Sequence, residues 1–145
     1  MSEDIEWPDL AEGEVLIPAD ASVLYRQIHP SWLQGDTITS QAFKPTAKDD
    51  GKLSTRLASK MSAEDAYIAH TADEGLQSVG TYQVTTEEVA GADLRSVTDS
   101  DVEGQPDGHA YIDCRDLARK HVEKAAKKLR THAMSHGCQF APAPD

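Results

Sequence analysis

Val23-Leu24-Tyr25-Arg26-Gln27-Ile28-His29-Pro30 is the stretch that sets the class of this chain. Residues 23–28 alternate well enough for a β-strand, and Pro30 ends it. The segments that follow keep the same texture. Thr39-Ser40-Gln41-Ala42-Phe43-Lys44-Pro45-Thr46 and Lys48-Asp49-Asp50-Gly51-Lys52-Leu53-Ser54 again interleave apolar residues with side chains that can do chemistry. Ordinary loops lack the apolar members, and ordinary core strands lack the Arg, His, Ser, Lys and Asp. The mixture predicts a polar site built on packed structure.

Outward from this stretch, short β-branched or aromatic runs predict further strands over 15–17, 37–43, 53–57, 78–85 and 109–112. Ser62 followed by Glu64 and Asp65 predicts a capped helix reaching Thr71, because a hydroxyl satisfies free amides and acids suit the positive helix end. Thr86, Glu87 and Glu88 predict another short helix, stopped at Gly91. Residues 99–108, rich in Asp, Gly, Pro and Ser, read as a loop. Asp113 or Cys114 is expected to open a long helix that runs to Ser135 and stops at Gly137. The fold expected is α+β: a small, mostly antiparallel sheet with two or three helices, the last long, basic and packed on the sheet. Residues 1–13 read as a flexible acidic arm pinned by Trp7, 14–137 as a single domain, and 138–145 as a flexible tail.

The bulk properties agree with a soluble globular chain. Its 145 residues fit one domain, and hydrophobic residues at 39% beside charged residues at 27% suit a modest core. The formal net charge is −11, which on average repels nucleic acid and anionic membranes. It suits solubility first, and a basic protein partner second. The charge is uneven. Residues 115–136 hold seven Lys or Arg against two acids, whereas residues 1–112 hold seven against twenty-one. The basic helix is read first as one that packs on its own acidic domain. The functional alternative is that Arg119, Lys120, Lys124, Lys127 and Lys128 meet a partner surface. Nucleic acid is a less favoured partner, since no aromatic residue is interleaved for base stacking. The acidic N-terminus has no apolar run of the kind a secretory signal needs. No window approaches the roughly eighteen apolar residues of a membrane helix. A cytoplasmic protein with no membrane attachment is therefore expected.

Several residues are candidates for chemistry, each with a plainer reading. His29 and Arg26 can grip a phosphate or ribose, but a His before Pro is as often a turn cap. Ser40 with a neighbouring His can be a nucleophile, though no Gly-x-Ser-x-Gly elbow surrounds it and a strand Ser more often bridges strands. Lys48 and Asp49 can clasp an anion or divalent ion from a charged loop; such loops usually face water. Cys114 near a helix N-terminus would have a lowered thiol pKa, and with His109 would begin a thiol-nucleophile argument. His132 and His136, one helical turn apart, lack an evident third metal ligand. Cys114 and Cys138 have neither metal nor redox spacing and read as free thiols. No metal and no cofactor are expected.

The run Arg26-x-Ile28-His29-Pro30-x-Trp32-Leu33, then Ser40-x-Ala42-Phe43-x-Pro45-Thr46-x-Lys48-Asp49 and Leu53-Ser54, resembles an uncharacterised group of small bacterial cytosolic proteins with a later His-Ala-x-Ile, here His109-Ala110-Tyr111-Ile112. The resemblance covers residues 24–112 and leaves the basic helix outside. It carries no activity, and implies only that Arg26, His29, Ser40, Lys48, Asp49 and His109 belong to one candidate site. The first functional expectation is a small acidic accessory protein with a protein partner, of the antitoxin, immunity or anti-phage defence kind. The second is an enzyme or ligand-binding domain for a nucleotide, since the polar strand pair around Arg26, His29 and Ser40 resembles ADP-ribosyltransferase sites. The third is nucleic-acid or partner binding through the basic helix.

Overall fold

The computed structural model describes residues 7–46 and 50–142. Lys48 and Asp49 therefore lie outside the described residues. The architecture is α+β and the long last helix is present, as expected. One sheet of six antiparallel strands forms the body, in the order β1-β7-β8-β5-β2-β6. The strands are β1 (Val15–Ile17), β2 (Val23–Gln27), β5 (Lys52–Leu57), β6 (Thr81–Thr85), β7 (Arg95–Thr98) and β8 (His109–Asp113). β3 (Leu33–Gln34) and β4 (Thr37–Ile38) make a separate two-stranded ribbon.

The helices are α1 (Ala63–Ile68), α2 (Thr86–Gly91) and α3 (Arg119–His136). Ser62 caps α1 as expected, its hydroxyl accepting from the Asp65 amide. The helix then widens into a π-helical turn, Ala69–Asp73, which carries His70. At α2, Thr85 and Glu88 cap each other reciprocally, which satisfies two amides the helix leaves open.

Alternation gives the sheet two unlike faces. Leu24 and Ile28 on one side join Leu53, Ala110 and Ile112 in the buried core. Ala125, Ala126, Leu129 and Ala133 of α3 close that core. Small residues on the helix let its backbone come close to β6 and to the 40–43 turn. The opposite face is polar across β2 and β5 and turns apolar at Val97 and Leu16 toward β1, as the register sets its rows. Tyr25, Arg56 and His109 are paired across β2, β5 and β8; Ser54 and Tyr111 form the next row, and Lys52, Asp113 and Arg95 the third. α1 lies over the β2–β6 end of this face, where Thr81 donates to the Ala63 carbonyl at 3.0 Å.

Two expected elements change and one strand is additional. Residues 37–43 are not one strand: β4 stops at Ile38, and Ser40–Phe43 form a 3₁₀ turn that buries Ala42 and Phe43. α3 begins at Arg119 rather than at Asp113 or Cys114. Asp113 is consumed by Arg95 and Arg115, and Asp116 takes a positive φ of 62°, which interrupts helical continuity. β7 was not expected, since Arg95-Ser96-Val97-Thr98 is brief and polar, yet it pairs on both edges. The described parts of the two terminal segments are tied down. Trp7 packs beneath the Arg95 guanidinium, 5.0 Å from its ring centre, and Arg95 donates to the Pro8 carbonyl at 2.7 Å. Residues 138–142, expected as tail, lie along β6 instead: Thr81 donates its amide to the Phe140 carbonyl at 2.7 Å.

Candidate functional site

The polar face carries a connected array on neighbouring strands. Asp99 follows β7, His109 opens β8, and Ser54 lies in β5. The ends of the 99–108 loop are adjacent, so Asp99 and His109 meet: Asp99 Oδ1 is 2.6 Å from His109 Nδ1. On the other side of the ring, His109 Nε2 is 3.3 Å from Ser54 Oγ. A carboxylate can only accept, so Nδ1 bears the proton and Nε2 is left to accept from the Ser54 hydroxyl. Asp99 is buried, His109 half-buried and Ser54 exposed. Gly108 fixes the approach to His109. It sits at φ +80°, and a Cβ there would come within 2.8 Å of Met61 Cε and 3.0 Å of Lys60 Cβ.

Ser54 opens on two adjoining cavities that also share Arg26 and His70. The smaller, about 50 Å³, lies under α1 and reaches Arg56, Glu74 and His109. The larger, about 300 Å³, is walled by Arg26, His29, Trp32, Ser54, His70 and Gln77 among others. It lies between the 30–32 turn and the chain that follows α1. Arg26 is almost wholly buried, and donates from Nε to the Ala42 carbonyl and from Nη1 to the Ser54 carbonyl, both at 2.9 Å. Its guanidinium stacks 5.0 Å from the Trp32 ring centre. His29 caps the 30–32 turn: its Nδ1 accepts from the Ser31 amide at 3.0 Å, which makes it a turn residue as well as a cleft wall. His70 faces the Gln77 carbonyl through Nε2 at 3.2 Å. Burial pushes the His70 pKa down, helped by Arg26 and Arg56, and outweighs the raising effects of the Gln77 carbonyl and Glu74. Arg56 pairs with Glu74, which ties β5 to the segment after α1.

The expected site residues thus divide. Arg26 and His29 share the larger cavity, and His109 reaches its edge through Ser54. Ser40 opens the 40–43 turn and lines neither cavity. His109 and Cys114 do not form a pair. Cys114 is buried against the core, and burial together with Asp113 pushes its thiol up to about 12, the reverse of activation. Both cysteines are free. His132 and His136 are engaged by Glu88, at 3.3 and 2.9 Å. Among the described residues, no group of three or more His, Cys, Asp or Glu is placed to hold a metal ion. On α3, Lys120, Lys124 and Lys128 line one shallow groove with Asp93 and His121, Arg119 pairs with Glu123, and Lys127 is exposed.

Asp99, Ser54 and His70 were not singled out by the sequence. One signal was present. In β5 the alternation of Leu53, Thr55 and Leu57 with Ser54 and Arg56 sends the latter two to the face opposite the core. Flanking positions of a loop between paired strands, Asp99 and His109, must likewise meet. No described helix is long and apolar enough to cross a membrane. Comparison with known proteins found no matching family model, no matching curated protein and no matching solved structure.

Proposed function

We propose that the protein binds a small anionic ligand with a planar ring, of the nucleotide class, in the cleft between the 30–32 turn and the chain after α1. The observation that carries this reading is the convergence of Arg26, His29, Trp32, Ser54 and His70 on one cavity of about 300 Å³. That volume is at the lower end of small-molecule sites, which combine an apolar wall with a few convergent polar groups. Trp32 supplies a face for stacking. Arg26 supplies fixed positive charge, and the imidazoles and Ser54 supply donors and acceptors for phosphate or ribose.

The test is calorimetric titration of the full chain with AMP, ADP, ATP, NAD and ADP-ribose. At least one should bind with submillimolar affinity, and Trp32→Ala should weaken it by about tenfold or more, the loss of one stacking contact. If the folded wild-type protein binds none of the five at millimolar concentration, the reading fails.

A second reading, an accessory protein with a protein partner, draws on α3. Lys120, Lys124 and Lys128 recur every four residues on one stripe and share a groove, a spacing that suits an acidic segment of a partner. A partner that co-purifies in stoichiometric amount should be lost when these three are changed to Glu. Retention of the partner by that variant would remove α3 from consideration.

A further inference from the structure

We infer that Ser54 is a nucleophile activated by His109, with Asp99 as the positioning residue behind it, and that the cleft beside it performs acyl transfer from a small ester to water. The inference goes beyond ligand binding, and needs only that the cleft admit a small ester.

The arrangement has the parts such chemistry requires, in the order it requires them. A buried carboxylate binds one ring nitrogen at 2.6 Å and fixes the tautomer; the other nitrogen faces a hydroxyl at 3.3 Å. Asp99 is itself held, its carbonyl accepting from the Val102 amide at 3.0 Å and its amide donating to the His109 carbonyl at 3.3 Å. The His109 carbonyl also accepts from the Thr98 hydroxyl at 3.0 Å. Both anchors lie in the β7–β8 connection, so ring and carboxylate move together. Only the serine is exposed, and it is the member that opens on the larger cavity. A merely structural bridge between strands would not need a buried acid at one end and an accessible hydroxyl at the other. The 3.3 Å separation is long for an O–H···N bond, as is common before substrate closes a site.

In the reaction, Ser54 Oγ forms a bond to the carbonyl carbon of the ester while its proton passes to His109 Nε2. The tetrahedral intermediate collapses, the bond to the leaving oxygen breaks, and that oxygen takes the proton from His109. Water then attacks the acyl-serine, again giving its proton to His109, which returns it to Ser54 Oγ. The net change is ester plus water to acid plus alcohol. Asp99 stays ionised and stabilises the imidazolium in both halves. Arg56 is paired with His109 across β5 and β8 and lines the adjoining cavity, so its guanidinium, which it shares with Glu74, stands on the same face of the sheet as Ser54.

The experiment is reaction of the full chain with a fluorophosphonate probe at pH 8, read by intact mass and peptide mapping. One adduct on Ser54 is expected, and none anywhere in Ser54→Ala. His109→Gln should slow labelling at least about 100-fold and Asp99→Asn at least about tenfold, the range for loss of a general base or its orienter. Ser135→Ala, on the exposed side of α3 and away from both the array and the cleft, should label as wild type. Circular dichroism of each variant establishes that it is folded. Should His109→Gln not fold, the wild-type labelling rate between pH 5 and 9 serves instead, and should rise with deprotonation of one imidazole-like group. Folded wild-type protein with no adduct on Ser54, a rate unchanged in His109→Gln, or a flat pH profile each overturns the inference. Nucleotide binding without labelling sinks the nucleophile alone; labelling without nucleotide binding sinks the nucleotide reading alone.

Discussion

Asp113 Oδ2 lies 2.8 Å from Arg95 Nε, joining β8 to β7 at the end of the sheet away from the cleft. The same carboxylate accepts from Arg115 Nε and Nη2, both at 2.9 Å, and is fully buried. Burial alone would raise its pKa, but the hydrogen bonds from Arg115 and Arg95 win and hold it below the usual carboxylate value. Asp113→Ala should therefore cost about 3–5 kcal/mol, since it takes the buried carboxylate away from two guanidinium groups. Urea unfolding measures the loss, and a cost below about 1 kcal/mol would contradict the arrangement.

The depressed Asp113 pKa also sets the sign of an acid effect. The unfolded state takes up the proton first, near 3.8, so this contribution is complete above that value and is lost as pH falls through the lower folded value. Wild type should lose stability below pH 3.8 more steeply than Asp113→Asn. Parallel stability curves for the two proteins would refute this.

His70 titrates in a different window. Its folded pKa lies below the ordinary 6.5, so the unfolded chain binds the proton first and stability falls as pH drops below 6.5 toward the folded value. His70→Gln keeps a donor for the Gln77 carbonyl and removes the titration. The stability difference between wild type and His70→Gln should shift in favour of the variant from pH 7 to pH 5. The histidine chemical shifts in NMR titration give the midpoint directly, and a midpoint above 6.5 would be contrary to the burial argument.

Thiol chemistry should separate the two cysteines. Cys138 is exposed, whereas Cys114 is buried with its thiol pushed up to about 12. An aromatic disulfide reagent at pH 8 should modify Cys138 quickly and Cys114 only after denaturant is added. Rapid release of two equivalents from the native protein would mean that Cys114 is not packed as described.

α3 offers a test of the core. Leu129 is fully buried against residues of the sheet. Leu129→Ala should cost about 2–5 kcal/mol through lost transfer energy and the cavity left behind. Lys127→Ala, on the exposed side of the same helix, should change stability by less than about 0.5 kcal/mol. Similar losses for both would show that α3 does not close the core through this face.

Local pattern carried some elements and failed at others for identifiable reasons. β2 and β5 were legible because alternation over five or six residues is a strong signal. Ser62 announced α1 through its hydroxyl. The 40–43 turn was misread because Ala42 and Phe43 look like strand residues, while what fixes them is burial beneath α3, an element far along the chain. The start of α3 was misread because Asp113 looks like a helix cap, and only its arginine partners show that it belongs to β8. β7 was missed because four mostly polar residues gain their regularity from neighbours on both sides.

The sequence by itself determined the α+β class, the charge asymmetry and the long basic helix. These are properties of composition and short-range periodicity, which act within a few residues. Tertiary structure alone decided that Ser54 stands beside His109, that Asp99 stands behind it, that Ser40 stands apart and that Cys114 is shut away. Ser54 and His109 are fifty-five residues apart along the chain and 3.3 Å apart in space. That meeting depends on the register between β5 and β8, which is fixed by burying Leu53 and Ile112 together on the other face. A one-residue slip of either strand would turn its own polar side chain into the core, and no local feature of either strand records which alignment wins.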